Sequence, residues 1–206
     1  MMIVDTLLAI YGETGISSNE RDKTINDNQL IADARTDPAA FARLYRRHYD
    51  EVFRYCVHRL FERHAAEDVT SAVFLKAVEN IGTFDGSEEQ FRNWLYRIAS
   101  NAVNNHLRRF ARQQQLLKKH GRCLAVEECD EPEGPDDASE KMELLRKAMF
   151  TLKPKYQTII TLRFFEKLKL TEIAEVLKAN PQTVRSQLSR ALAKLRKKIT
   201  SLQQGV

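Results

Sequence analysis

Gln182, Thr183, Arg185, Ser186, Ser189, Arg190 and Lys197 gather on and around one side of a helical repeat near the C-terminus. Their amides, hydroxyls and guanidiniums suit recognition rather than covalent chemistry. Such groups meet base edges in a DNA major groove, and the cations further along meet phosphates. The sequence does not point to an enzyme. It shows no carboxylate pair, nucleophile–base set, glycine-rich phosphate loop or metal motif, and it implies no cofactor. His120, Cys123 and Cys129 lie close in the chain, but their spacing fits no standard zinc pattern, and we read the two cysteines as incidental.

The element that must carry these groups is a helix with a clean apolar phase. Val184, Leu188, Ala191, Leu192, Leu195 and Ile199 fall within about 100° of arc at 3.6 residues per turn. Ahead of it, Ile173, Ala174, Val176 and Leu177 give a short helix one apolar side, with Thr171 as its cap. Ala179-Asn180-Pro181 breaks the chain, and Asn180 caps the next helix with Pro181 in its first turn. The pair reads as a helix-turn-helix. Upstream, Leu145, Ala148, Met149 and Leu152, and then Tyr156, Ile159, Ile160, Leu162 and Phe164, supply the helices it packs on.

The N-terminal half is also helical in period. Leu30, Ile31 and Ala34 mark one short helix. Phe41, Leu44, Tyr45, Val52, Phe53, Cys56, Val57 and Leu60 mark a longer one, in which Cys56 is a core thiol. A helix over 65–81 carries Glu67 and Asp68 in its first turn, favoured there by the helix dipole. The loop Phe84–Gln90 follows. A helix over 90–113 then packs Trp94, Leu95, Ile98, Ala99, Ala102, Val103 and Leu107. It turns Arg97, Asn101, Asn104, Asn105, Arg108, Arg109 and Arg112 outward. Three asparagines on one face do little for a helix, and their amides suit base contacts.

Charge divides the 206 residues into blocks. Residues 1–91 carry a net −6, 92–122 +8 with no acid at all, 123–143 −8, and 144–206 +11 with three acids, for a total of +5. Two basic blocks separated by an acidic one imply two contacts with a polyanion. Residues 113–143, with Pro132, Gly134 and Pro135, read as an acidic linker without fixed structure. Residues 1–26 read as a mobile extension. No stretch approaches the roughly 20 apolar residues that span a bilayer, and nothing resembles a secretory signal. The expectation is a cytoplasmic protein without membrane insertion. Its fold class is all-α: two small helical domains, over 27–112 and 144–206, joined by a flexible acidic linker.

With both halves in view the chain resembles the sigma-70 family of bacterial RNA polymerase sigma factors, in its extracytoplasmic-function (ECF) group. The strings Phe41-Ala42-Arg43-Leu44-Tyr45-Arg46-Arg47-His48-Tyr49, Ala66-Glu67-Asp68-Val69 and Phe91-Arg92-Asn93-Trp94-Leu95-Tyr96-Arg97 carry the resemblance of residues 27–110 to the sigma-2 domain. Leu152-Lys153-Pro154-Lys155-Tyr156-Gln157, Glu172-Ile173-Ala174 and Thr183-Val184-Arg185-Ser186 carry that of 144–199 to sigma-4. The resemblance implies a dissociable promoter-specificity subunit that reads a −35 duplex and melts a −10 element. Its implied partners are core RNA polymerase (the largest and second-largest subunits), promoter DNA and an anti-sigma factor.

By position, the −35 readers are Gln182, Thr183, Arg185, Ser186, Ser189, Arg190 and Lys197. The −10 contacts are Phe84, Asp85, Asn101, Asn104, Asn105, Arg108 and Arg109. Polymerase docking falls to Asp68, Ser71, Ala72, Leu75 and Lys76. Ser71 and Ala72 stand where the family often has Gln-Glu, and Lys178 stands where it often has a glycine at the bend. A one-component helix-turn-helix regulator that binds its operator alone is the rival reading; it leaves the acid-free helix after Gln90 unexplained.

Overall fold

The computed structural model describes residues 27–119 and 137–204, and all regular structure among them is helical. Four helices form the N-terminal half: α1 Asp27–Asp33, α2 Pro38–Leu60, α3 Arg63–Asn80 and α4 Glu88–Lys119. Four more form the C-terminal half: α5 Asp137–Phe150, α6 Pro154–Ile160, α7 Leu170–Leu177 and α8 Pro181–Gln203. A short 3₁₀ turn, Ile81–Thr83, follows α3, and a wide π-type turn, Thr161–Phe165, follows α6.

Local chemistry sets the boundaries. Asp37 accepts hydrogen bonds from Ala39 N (2.8 Å) and Ala40 N (3.2 Å), with Pro38 in the first turn of α2. Glu62 does the same for α3, accepting from His64 N and Ala65 N. This cap starts α3 at Arg63 rather than at 65, so Glu67 and Asp68 lie past its first turn, and Glu67 pairs with Arg63 at 3.1 Å instead. α4 begins on a reciprocal cap: Ser87 N donates to Gln90 Oε1 (2.9 Å) and Gln90 N to Ser87 Oγ (3.5 Å).

The long helix outruns its expected end at 113. The run Gln113-Gln114-Gln115-Leu116-Leu117-Lys118-Lys119 is made of good helix formers, and the helix continues through it to Lys119. α5 likewise begins at Asp137, inside the stretch expected as linker. The linker reading therefore shrinks at both ends. What is left of it, with His120, Cys123 and Cys129, and the N-terminal extension lie outside the described residues.

The two halves are not separate bodies. One apolar cluster runs from Leu44, Val52, Tyr55, Val73, Phe91, Leu95 and Val103 of the N-terminal half into Ile159, Leu162, Leu168, Ile173, Val176 and Val184 of the C-terminal half. A second cluster, Leu145, Ala148, Met149, Leu152, Ile160, Ala191 and Leu195, holds α5, α6 and α8 together, with Phe61 from the end of α2 packed at its edge. Cys56 is fully buried in the first cluster, and burial pushes its thiol up to about 11, so it is the core thiol expected.

Candidate nucleic-acid interface

The bend between α7 and α8 is built from backbone. Lys178 adopts a left-handed conformation (φ 48°, ψ 48°), and Ala179 N donates to Ala174 O at 2.8 Å to close the last turn of α7. Asn180 Oδ1 then accepts from Gln182 N at 2.8 Å, and Pro181 opens α8, as the sequence implied. The start of α7 differs from expectation. Thr171 does not cap it; Lys169 N donates to Glu172 Oε2 at 2.6 Å, and the helix begins at Leu170.

α8 buries Val184, Ala191 and Leu195 and leaves Gln182, Thr183, Arg185, Ser186, Ser189, Arg190 and Lys197 exposed. The first six form a continuous polar face at the N-terminal end of the helix. Among the described residues no carboxylate pairs with Arg185, Arg190, Lys194, Arg196, Lys197 or Lys198. The end of α8 is thus a row of uncompensated cations.

A second exposed face lies on α3. Asp68, Ser71, Ala72, Leu75 and Lys76 all reach solvent, and Leu75 is 61% exposed with Val78 at 43% beside it. Behind them Val69, Val73, Phe74 and Ala77 are buried. Exposed leucine and valine on a well-anchored helix form an apolar patch of the kind that meets another protein.

The third group comprises the Phe84–Gln90 loop and the middle of α4, and here the outcome is mixed. Asp85, Asn101, Asn105, Arg108 and Arg109 are exposed, as expected. Phe84 is not; its ring packs on Phe91 (5.4 Å) and Trp94 (5.2 Å). Arg35 holds the carbonyl of Phe84 at 2.5 Å. Gly86 keeps the loop tight, since a Cβ there would come within 2.9 Å of the Phe84 ring. Trp94 is half-buried and lines a cleft of about 850 Å³ with Phe84, Asp85, Arg97, Lys178 and Pro181. The cleft is a seam: its walls come from both halves of the chain.

Arg97 and Asn104, expected to face outward, are both engaged. Arg97 donates to the carbonyls of Glu175 (2.8 Å) and Val176 (3.3 Å) at the C-terminal end of α7. Asn104 Oδ1 accepts from Arg59 at 2.9 Å, while Gln157 Oε1 accepts from the same guanidinium at 2.5 Å. Arg59 is 1% exposed, and these two side chains are what make its burial tolerable.

The rest of the seam was not anticipated from the sequence. Glu166, its side chain fully buried, accepts from Arg54 (3.0 Å) and from the Tyr96 hydroxyl (3.1 Å), with His58 Nδ1 at 3.3 Å. Burial works against the charge on Arg54, but the Glu166 carboxylate outweighs it and holds the guanidinium pKa above its ordinary value. Burial, reinforced by the same carboxylate, pushes the Tyr96 hydroxyl well up, so it stays a donor. The π-type turn just before Glu166 aims it here, with Glu166 N donating to Thr161 O at 3.1 Å. Glu172 pairs with Arg92, and Asn93 Nδ2 donates to Glu175 Oε2 at 2.7 Å. The signal that would have found this seam is the scarcity of acids: Glu166, Glu172 and Glu175 are the only three in 144–206, and all three bond to the N-terminal half.

Known families match both halves of the chain. The family described as Sigma-70 region 2 matches residues 44–113, which run from the middle of α2 to near the end of α4. That described as Sigma-70, region 4 matches 142–195, from α5 into α8. Over 159 residues the chain is 33% identical to RNA polymerase sigma factor YlaC of Bacillus subtilis (strain 168), covering 76% of this chain and 90% of that protein. The chain belongs to the sigma-70 family of RNA polymerase sigma factors.

Within the family it falls in the ECF group. It is 30% identical over 173 residues to the ECF RNA polymerase sigma factor SigW of the same organism, covering 81% of this chain and 92% of that sigma factor. Two solved structures share the fold: CnrH in complex with the cytosolic domain of CnrY (TM-score 0.62, 23% identity, 86% of this chain and 99% of that one), and the sigma factor RpoE in complex with the anti-sigma factor NepR from Bartonella quintana (TM-score 0.57, 20% identity, 78% and 96%). Sigma factors of this group direct RNA polymerase to promoters, and this chain is such a specificity subunit. No helix among the described residues is long and apolar enough to cross a membrane.

Proposed function

We propose that the chain's three faces divide the work of promoter recognition. The N-terminal face of α8 reads a −35 duplex in the major groove through Gln182, Thr183, Arg185, Ser186, Ser189 and Arg190, with Lys197 on the phosphates. The exposed face of α3 around Leu75, with Asp68, Ser71, Ala72 and Lys76, docks on core polymerase. The Phe84–Gln90 loop and the amide and guanidinium row Asn101, Asn105, Arg108 and Arg109 engage the −10 element, Asn104 joining them once freed from Arg59. The chain supplies recognition and melting, and the bond-forming chemistry belongs to the polymerase. Its place of action is the cytoplasm, where the DNA is. On this reading the working domains are 27–112 and 144–206, with the last helix of the first running on to Lys119 and the first helix of the second starting back at Asp137, and an anti-sigma factor is the regulator the family leads us to expect.

One observation carries the reading: α8 buries one complete side and offers a continuous, uncompensated polar and cationic face on the other. The test is transcription in vitro by core polymerase, with and without the chain, on a library of promoter-like templates. Starts that depend on the chain, sharing two spaced elements, are the expected result. No such starts, together with tight salt-sensitive binding of the chain alone to duplex DNA, would refute it.

A further inference from the structure

The seam contains a second design. α4 presents the adjacent Arg92 and Asn93, with Arg97 about one turn further on, at the head of the acid-free basic block and beside the Phe84–Gln90 loop. Every one of them is occupied from α7. Arg92 holds the Glu172 carboxylate, and Asn93, only 2% exposed, holds Glu175. Arg97 holds the last carbonyls of the helix, its negative dipole end. Carboxylate, carboxylate and helix C-terminus form a line of three negative groups laid along a line of three donors. A nucleic-acid backbone presents the same thing: anionic oxygens repeated along a strand. Glu166, sunk between Arg54, His58 and Tyr96, fastens the adjoining part of the same seam.

Closure is selective. It covers this row, while the polar face of α8 and the Leu75 face of α3 stay open to solvent. A helix-turn-helix half with a net charge of +11 has little reason to carry acids on one small helix, unless they meet cations of its own chain.

We propose that α7 is an internal stand-in for nucleic acid: Glu172, Glu175 and the α7 C-terminus occupy an anion-binding row, Arg92–Asn93–Arg97, and hold the free chain closed against single-stranded DNA. Opening the two halves exposes the row, which then takes the phosphate backbone of the melted strand beside the −10 loop. Because closure leaves the other two faces free, duplex DNA and polymerase engage the closed chain first. The proposal rests on the assignment of the −10 side to the loop and α4.

The test compares the full chain with the double variant Glu172→Gln/Glu175→Gln. The substitutions keep the shape of α7 and its buried Ile173, Ala174 and Val176. The probe is a random-sequence single-stranded DNA 12-mer followed by fluorescence anisotropy, since phosphate contacts are independent of sequence. A charge-matched control, Glu79→Gln/Glu140→Gln, makes the same change in net charge away from the seam. X-ray scattering of each protein reports opening as a larger radius of gyration. If the closed form dominates, the apparent affinity of the wild type is reduced by its small open fraction. The seam variant should then bind the 12-mer about tenfold more tightly or better, equivalent to about 1.4 kcal/mol of closure. Its radius of gyration should grow, and the control should do neither. Equal binding by the seam and control variants overturns the proposal, whether or not the seam variant expands. Polymerase-dependent starts by the wild-type chain judge the functional reading separately, so a failure here with starts intact sinks the stand-in alone.

Discussion

Lys178→Gly tests the geometry of the bend directly. Lys178 sits at φ 48°, ψ 48°, where an L-residue with a Cβ carries a cost of about 1–2 kcal/mol. Glycine removes that cost but adds about 0.5–1 kcal/mol of unfolded-state entropy. The Lys178 side chain is exposed and makes no hydrogen bond or ion pair among the described residues, so nothing else is lost. The net expectation is stabilisation by about 0.5–1 kcal/mol.

The size of the thermal shift then reports how much of the chain unfolds together. Unfolding entropy scales at about 2.1 cal/mol/K per residue. If the halves melt as one unit, as the shared apolar cluster implies, the melting temperature rises by about 1–2 °C. If the C-terminal half, roughly 70 residues, melted alone, the same free energy would raise its transition by about 3–7 °C. Differential scanning calorimetry on both proteins separates these cases. A single transition that rises by the smaller amount supports the packed arrangement. A lowered melting temperature would refute the strain argument, and a separate low transition that alone moves would refute the cooperative seam.

Three other outcomes are expected. Leu75→Asp should leave the melting temperature within about 1 °C, since the side chain is 61% exposed, yet weaken co-purification with core polymerase by tenfold or more; retained binding would remove α3 from the docking face. Arg190→Ala should weaken binding to the mapped −35 duplex by about 1–3 kcal/mol and relax its sequence preference, whereas Lys197→Ala should weaken all duplexes alike and lower the salt slope by about 1; the reverse pattern would exchange their roles. The Cys56 thiol, raised to about 11 by burial, should resist alkylation at pH 8 in the folded chain and react promptly in denaturant, as peptide mapping by mass spectrometry can score; fast labelling of the native protein would contradict its place in the core.

How far each site could be read from the sequence follows the range of the interactions that make it. The bend was legible because its determinants are local: Asn180 and Pro181 cap and open α8 within two residues, and the apolar phase of Val184, Ala191 and Leu195 turns the polar side outward without help from other elements. The face of α3 was legible for the same reason. Local rules also set the helix ends, and where the expected boundary of α3 or α4 was wrong, the deciding groups were local ones given too little weight: the Glu62 cap and the Gln-rich run before Lys119.

The seam was of another kind. Arg59 meets Gln157 across 98 positions of sequence, Arg54 meets Glu166 across 112, and Arg92 meets Glu172 across 80. Periodicity places each of these side chains on a helix face but cannot say which face another helix will cover. Arg97 and Asn104 read as outward because they are polar and lie opposite a core stripe; tertiary packing brought α7 and Arg59 to them. Sequence alone thus determined the helices and the exposed polar face of α8. Only the tertiary structure decided that the halves close on each other, because a buried charge is tolerated solely where distant partners converge on it.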